Sequence, residues 1–132
     1  MKAQIILVTM AILLCLDHAT CYDPCDVQPY VNGCSIPANL PYFYKDVFRP
    51  DCNKHDVCYG CGEKFGISRR ECDKRLYARI IERCRTDRSV RYEGWCNAVT
   101  TDYYLGVRLG GKRHYHVPAE LWCNQPWVNQ CL

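Results

Sequence analysis

The chain has 132 residues, with 17 Lys and Arg against 14 Asp and Glu, for a formal net charge of +3. That length holds one small domain, and so mild a positive charge argues against nucleic acid as a partner. The 12 cysteines are a density found in disulfide scaffolds.

The N-terminal residues read as a targeting segment. Lys2 precedes an apolar run from Ile5 to Leu16, the length of a signal-peptide core and short of the roughly 20 residues that a bilayer requires. Signal peptidase prefers small residues at the first and third positions before its cut. A cut after Cys21 places Cys21 and Ala19 there. The prediction is a signal peptide over 1–21 and a secreted, extracellular domain over 22–132. Cysteine parity agrees: Cys15 and Cys21 leave with the signal, and ten cysteines remain. Secretion supplies the oxidising environment in which five disulfides can form.

Residues 22–50 read as irregular, because Pro24, Pro29, Pro37, Pro41 and Pro50 interrupt any long helix. Cys25 and Cys34 would tie this segment down. A first helix is expected from Asp51, an N-cap candidate after Pro50, to Gly60–Gly62. A second is expected over 69–85. Ser68 and Glu71 form a capping box, and Cys72, Asp73, Leu76, Tyr77, Ile80, Ile81 and Cys84 recur at helical spacing. Asp73 is the polar member of that face and needs a partner from another element, since a lone buried carboxylate is costly. Arg75, Arg79 and Arg83 form a stripe, either a solvated face or an attraction to an anionic membrane.

A third helix is expected from Asn97, as cap, to about Leu109, with Val99, Tyr103 and Val107 facing inward and Gly106 as a weak point. Gly110 and Gly111 then break the helix. Lys112-Arg113 follows as a dibasic site. Cleavage near 110–113 would give a long chain and a short chain, 114–132, joined by disulfides. The tail shows no clear helix.

The stretch CNKHDVCYGCG, Cys52 to Gly62, carries the chemistry. A zinc knuckle would need reduced thiolates, and zinc ligands usually come in two separated pairs rather than one run. An active site explains more. On a helix His55 and Tyr59 share a face, and a second helix packed antiparallel would bring Asp73 to it. A carboxylate there fixes the imidazole tautomer and leaves the other nitrogen free to take a proton. Asp56 is left to hold a cation. A Cys58–Cys72 bridge would clamp the two helices beside this pair, although spacing by itself selects no connectivity.

The run CNKHDVCY resembles the C-x-x-H-D-x-C-Y motif of secreted phospholipase A2, a calcium-dependent lipid hydrolase. NGCS, Asn32 to Ser35, resembles the short calcium loop of its microbial-type members. ECDKRLYARIIERC, Glu71 to Cys84, is similar to the helix bearing the second catalytic aspartate, and WCNAVTTDYYLGV, Trp95 to Val107, to the third helix. Together with FGISR-x-ECD, Phe65 to Asp73, the pattern most resembles the conodipines, two-chain phospholipases of cone-snail venom. The resemblance covers about residues 25 to 109, and the tail looks like the conodipine short chain.

The resemblance implies a mainly α, small disulfide-rich fold. Two antiparallel disulfide-linked catalytic helices would be joined by a third, with irregular N- and C-terminal segments. It implies His55 as general base, Asp73 as its orienting carboxylate and Tyr59 as hydrogen-bond donor to Asp73. It implies Ca2+ held by Asp56, the Gly33 carbonyl and the Asn32 side chain. Asn32 stands where microbial relatives carry aspartate, which lowers the charge of the site and weakens calcium binding. By the same analogy Cys34 pairs with Cys52, Cys58 with Cys72 and Cys84 with Cys96. Cys25, Cys61, Cys123 and Cys131 stay unassigned, with at least one bridge expected between tail and body. The implied partner is a phospholipid membrane surface. Trp95, Trp122 and Trp127 are candidates for an interfacial ring or for core, and Phe43 and Phe48 for an acyl channel or for core. The alternative is a non-catalytic toxin that uses the scaffold to bind a receptor or ion channel.

Overall fold

The computed structural model describes residues 23–26, 28–35 and 43–132; the predicted signal peptide lies outside the described residues. Three α-helices carry the architecture: α1 Lys45–Cys61, α2 Arg69–Thr86 and α3 Glu93–Gly110. The tail contributes short 3-10 turns at Gly111–His114, Leu121–Asn124 and Val128–Cys131. The described residues contain no strand.

Cross-links fix the helix directions. From α1 to α2, Cys58 bonds Cys72, His55 meets Asp73, and Asp51 meets Arg83. The numbers fall on one helix as they rise on the other, so the pair is antiparallel, as predicted. From α2 to α3, Cys84 bonds Cys96, Tyr77 packs on Tyr104, and Arg69 reaches Arg108. That pair is antiparallel as well.

Two predicted helix starts move. α1 begins six residues early and holds Pro50 inside it. As the sixth residue of α1, Pro50 lies past the unpaired first turn and withholds one i→i−4 hydrogen bond, that to the Asp46 carbonyl, a local cost within the helix. Asp51 is therefore not a cap. It is buried and accepts a hydrogen bond from the Arg83 guanidinium at 3.1 Å. α3 begins at Glu93 rather than after Asn97, with an acidic first turn that suits the positive end of the helix dipole. Asn97 lies inside α3, and its Oδ1 is buried with no partner among the described residues. The start of α2 is as predicted: the Ser68 hydroxyl accepts from the Glu71 N–H at 3.2 Å. Tyr77, expected on its inner face, is exposed.

The main core lies between the three helices, where Phe48, Leu76, Ile80, Val99 and Tyr103 pack around the Cys34–Cys52 and Cys84–Cys96 bridges. Each large side chain buried there contributes about 1.5–3 kcal/mol. A second cluster joins Val57 of α1 to Val128 of the tail. It is crossed by Cys25–Cys131 and Cys61–Cys123, the pairings left open above, and both fasten the tail to the body. The first has a sequence separation of 106, and closing so long a loop stabilises by roughly 4–5 kcal/mol in the chain-entropy account. Trp122 and Trp127 stack with Tyr30 at this end, with centroid spacings of 4.6 Å for Tyr30–Trp122 and 5.6 Å for Trp122–Trp127.

The arginine stripe of α2 is engaged within the molecule. Arg75 pairs with Glu71 at 3.3 Å, Arg79 donates to the Leu132 carbonyl at 2.8 Å, and Arg83 holds Asp51.

Candidate active site

The antiparallel register of α1 and α2 delivers His55 to Asp73. His55 Nε2 lies 2.9 Å from Asp73 Oδ1, and the Tyr59 hydroxyl donates to the same oxygen at 2.6 Å. Tyr59 is one turn after His55, and their rings are 4.0 Å apart. The Cys58–Cys72 bridge sits beside all three, joining the residue before Tyr59 to the residue before Asp73. Asp73 is 0% exposed. Burial alone would push its carboxyl up, but hydrogen bonds from His55, Tyr59 and Arg108 outweigh this and hold it below the usual carboxylate range. An ionised carboxylate only accepts. The proton shared with His55 therefore sits on Nε2, and Nδ1 is the nitrogen free to act as a base.

Two arginines complete this cluster that the sequence reading did not single out. Arg108, in the last turn of α3, donates to Asp73 Oδ2 at 2.6 Å. Arg69, in the first turn of α2, places a nitrogen 3.7 Å from the same oxygen. The signal was present in part, since a carboxylate on a buried helix face demands a charged partner. Arg69 stands four residues before Asp73 on the same helix, a spacing that could have found it, whereas spacing within α2 could not say that Arg108 arrives from the far end of α3.

The predicted calcium loop folds over α1. The Asn32 N–H donates to Asp56 Oδ2 at 3.0 Å, and the Gly33 N–H donates to Asn53 Oδ1 at 2.8 Å. Asn53, another residue missed in the sequence, is buried and also donates to Asp26 at 3.0 Å, tying the loop to the helix on both sides. Gly33 has φ 77, a left-handed conformation for which glycine is suited. Asn32 Oδ1 accepts from the Ser35 hydroxyl at 2.9 Å.

Asn32 and Gly33 are thus held against α1 at Asp56 and Asn53, neighbouring turns of one helix face. Burial pushes the Asp56 carboxyl up to about 7, against the Asn32 N–H, which pulls it down. No cationic side chain pairs with it among the described residues. A desolvated carboxylate without a counter-charge, bonded through the Asn32 N–H to a loop that also carries the Asn32 side-chain oxygen, is chemistry that a hard cation such as calcium would satisfy. A zinc knuckle does not fit. All ten cysteines among the described residues are in disulfides, and no cluster of three or more His, Cys, Asp or Glu occurs there.

Both clusters open onto one cavity of about 490 Å³. His55, Asp56, Tyr59, Gly33 and Ser35 line its polar part. Phe43, Leu76, Trp95, Val99, Tyr103 and Val107 line much of its apolar part. Phe43 and Trp95 meet edge to face at 5.6 Å. Of the predicted acyl-channel pair only Phe43 faces the cavity, while Phe48 is core. Of the tryptophans only Trp95 lines it. The segment after α3 crosses the rim: Gly111, Arg113 and His114 line the cavity, and Tyr115 packs edge to face on Tyr59 at 5.8 Å.

No family model matches the chain, and no solved structure matches it. Among curated proteins it is similar to conodipine-P3 of Conus purpurascens, 60% identical over 43 residues, or 33% of this chain and 23% of that one. Conodipine-P1 of the same species is 60% identical over 42 residues, 32% of this chain and 22% of that one. The chain thus matches less than a quarter of the length of these relatives. Conodipine-M alpha chain of Conus magus is 34% identical over 53 residues, 40% of this chain and 68% of that one.

Proposed function

The chain belongs to the conodipine family, and from that premise we propose that it is a secreted, calcium-dependent phospholipase A2 of venom. It would hydrolyse the sn-2 ester of glycerophospholipids to a lysophospholipid and a free fatty acid. The observation that carries this reading is the His55–Asp73–Tyr59 network, with a free imidazole nitrogen, at the wall of an apolar-lined cavity beside an oxygen-rich loop.

His55 Nδ1 takes a proton from a water molecule as the water oxygen bonds to the ester carbonyl carbon. Asp73 holds the ring and balances the charge that develops on it. When the tetrahedral intermediate collapses, the carbon–oxygen bond to the glycerol breaks and the same nitrogen returns the proton to the leaving oxygen. Asp56, Asn32 and Gly33 would hold calcium, which supplies Lewis-acid polarisation of the carbonyl and stabilisation of the oxyanion. The apolar wall receives the acyl chain, so the partner is a phospholipid surface. Cleavage at Lys112-Arg113 belongs to the same proposal. It would give two chains held by Cys25–Cys131 and Cys61–Cys123.

The test is fatty-acid release from phosphatidylcholine vesicles by the correctly oxidised protein, with calcium or with EDTA. Release that requires calcium and falls by at least about 100-fold in His55→Gln is expected. No release from wild type would overturn the enzyme and favour a non-catalytic toxin that binds a receptor or channel.

A further inference from the structure

We propose that Arg108 is a positioning residue of the catalytic network, holding Asp73 so that one oxygen, Oδ1, faces both His55 and Tyr59. The inference rests on the reading of the site as an ester hydrolase and adds to it a member from the third helix.

The geometry divides the carboxylate into two halves. Oδ1 takes the two donors of α1, at 2.9 and 2.6 Å. Oδ2 takes Arg108 Nη1 at 2.6 Å. A carboxylate can turn about its Cβ–Cγ bond, so which oxygen serves His55 depends on what holds the other. Asp73 has no exposed surface, so the second oxygen must be satisfied by protein.

Arg69 does not replace Arg108 in this role. At 3.7 Å from Oδ2 it adds charge without a hydrogen bond. The same nitrogen donates to the Val107 and Arg108 carbonyls at 3.1 and 3.2 Å. These carbonyls belong to the last turn of α3; that of Val107 also accepts from the Gly111 N–H, so Arg69 adds a second donor there and bridges it to the Arg108 carbonyl. Arg69 therefore pins the turn from which Arg108 reaches inward.

Without Arg108, Oδ2 is a desolvated charge with one distant cation. The carboxylate then turns toward Arg69 and carries Oδ1 away from the imidazole. A displacement of roughly 1 Å in a catalytic group costs about 100-fold in rate. Arg108 does not line the cavity, so its loss should fall on kcat and leave KM nearly unchanged. Lysine offers one point charge in place of a planar fork and should recover part of the rate.

The experiment pairs kinetics on phosphatidylcholine vesicles with proton NMR of the His55 ring Nε2–H in ¹⁵N-histidine-labelled protein, for wild type, Arg108→Gln, Arg108→Lys and the exposed-charge control Arg85→Gln. Support is a kcat loss of about 10- to 100-fold in Arg108→Gln with KM within about threefold, loss or displacement of the ring N–H signal, and partial recovery of both in Arg108→Lys. Arg85→Gln should match wild type. Arg108→Gln that keeps kcat and the signal overturns the proposal. If Arg108→Gln does not fold, Arg108→Lys decides: kcat and signal identical to wild type count against, and both weakened count for. If wild type releases no fatty acid but its ring signal still depends on Arg108, the hydrolase reading fails while the positioning role stands.

Discussion

Gly111 offers a sharp test of how closely the tail is built against the catalytic network. Its backbone, at φ −77 and ψ −13, suits any residue, so alanine there carries no conformational strain. Its space does not. A Cβ would lie 2.4 Å from the Tyr59 hydroxyl and 3.1 Å from two carbons of that ring. Ordinary contact requires the hydroxyl to retreat by roughly 1 Å. It now sits 2.6 Å from Asp73, and any part of that retreat directed away from Asp73 lengthens and weakens the hydrogen bond. The ring cannot swing freely, being packed between His55 and Tyr115. Gly111→Ala should therefore destabilise by about 1–3 kcal/mol, the cost of an unmet buried polar group, and slow hydrolysis by about 10- to 100-fold. Gly106→Ala is the control. That glycine is inside α3 with nothing within 4 Å of its Cβ position, so alanine should stabilise by about 0.5–1 kcal/mol. Guanidinium unfolding with disulfides intact, followed by tryptophan fluorescence, reads the stabilities, and vesicle hydrolysis reads the rate. Unchanged midpoint and kcat in Gly111→Ala would refute the claim that Tyr59 is held between the tail and Asp73.

Burial raises Asp56 from 3.8 to about 7, so in metal-free protein its destabilising effect is absent below pH 3.8. The effect grows as pH rises and is complete above about 7, at roughly 4 kcal/mol. Asp56→Asn should flatten this fall between pH 5 and pH 8. Calcium at about 100 times its dissociation constant should restore about 2.7 kcal/mol at pH 8 to wild type and much less to the variant. Equal unfolding curves for both proteins, with and without EDTA, would remove Asp56 from any cation site. Arg83→Ala strands the buried Asp51 carboxylate and should cost about 3–5 kcal/mol, whereas Arg85→Ala, whose pair with Glu82 is exposed, should change unfolding by less than about 1 kcal/mol. Cleavage between Arg113 and His114 should leave one band on a non-reducing gel and two after reduction, because Cys25–Cys131 and Cys61–Cys123 span the cut. Two bands without reductant would contradict those pairings.

Local chemistry was legible where a residue's role depends on near neighbours in the chain. Ser68 and Glu71 mark the start of α2 because capping is settled within one turn. His55 and Tyr59 share a face because a helix repeats nearly every four residues. The starts of α1 and α3 were misjudged for the opposite reason. Pro50 and Asn97 are local signals, and tertiary packing overrode both, drawing Asp51 to Arg83 and placing Asn97 inside a helix. The three inner disulfides followed from resemblance rather than spacing. For the two that anchor the tail, only a bridge between tail and body was expected and not the pairing, because they join residues 62 and 106 positions apart.

From the sequence alone came a disulfide-locked helical scaffold, the residues that could take a proton or hold a cation, and the need of Asp73 for a partner. Tertiary structure decided which partner it receives. Arg108 arrives from the last turn of α3, while Arg69 is a local i,i+4 neighbour of Asp73, and Gly111 and Tyr115 come from a tail fastened by distant cystines. A helical period reports which residues share a face. Charge neutralisation inside a core depends on which faces meet, and that is set by packing and cross-links across the whole chain.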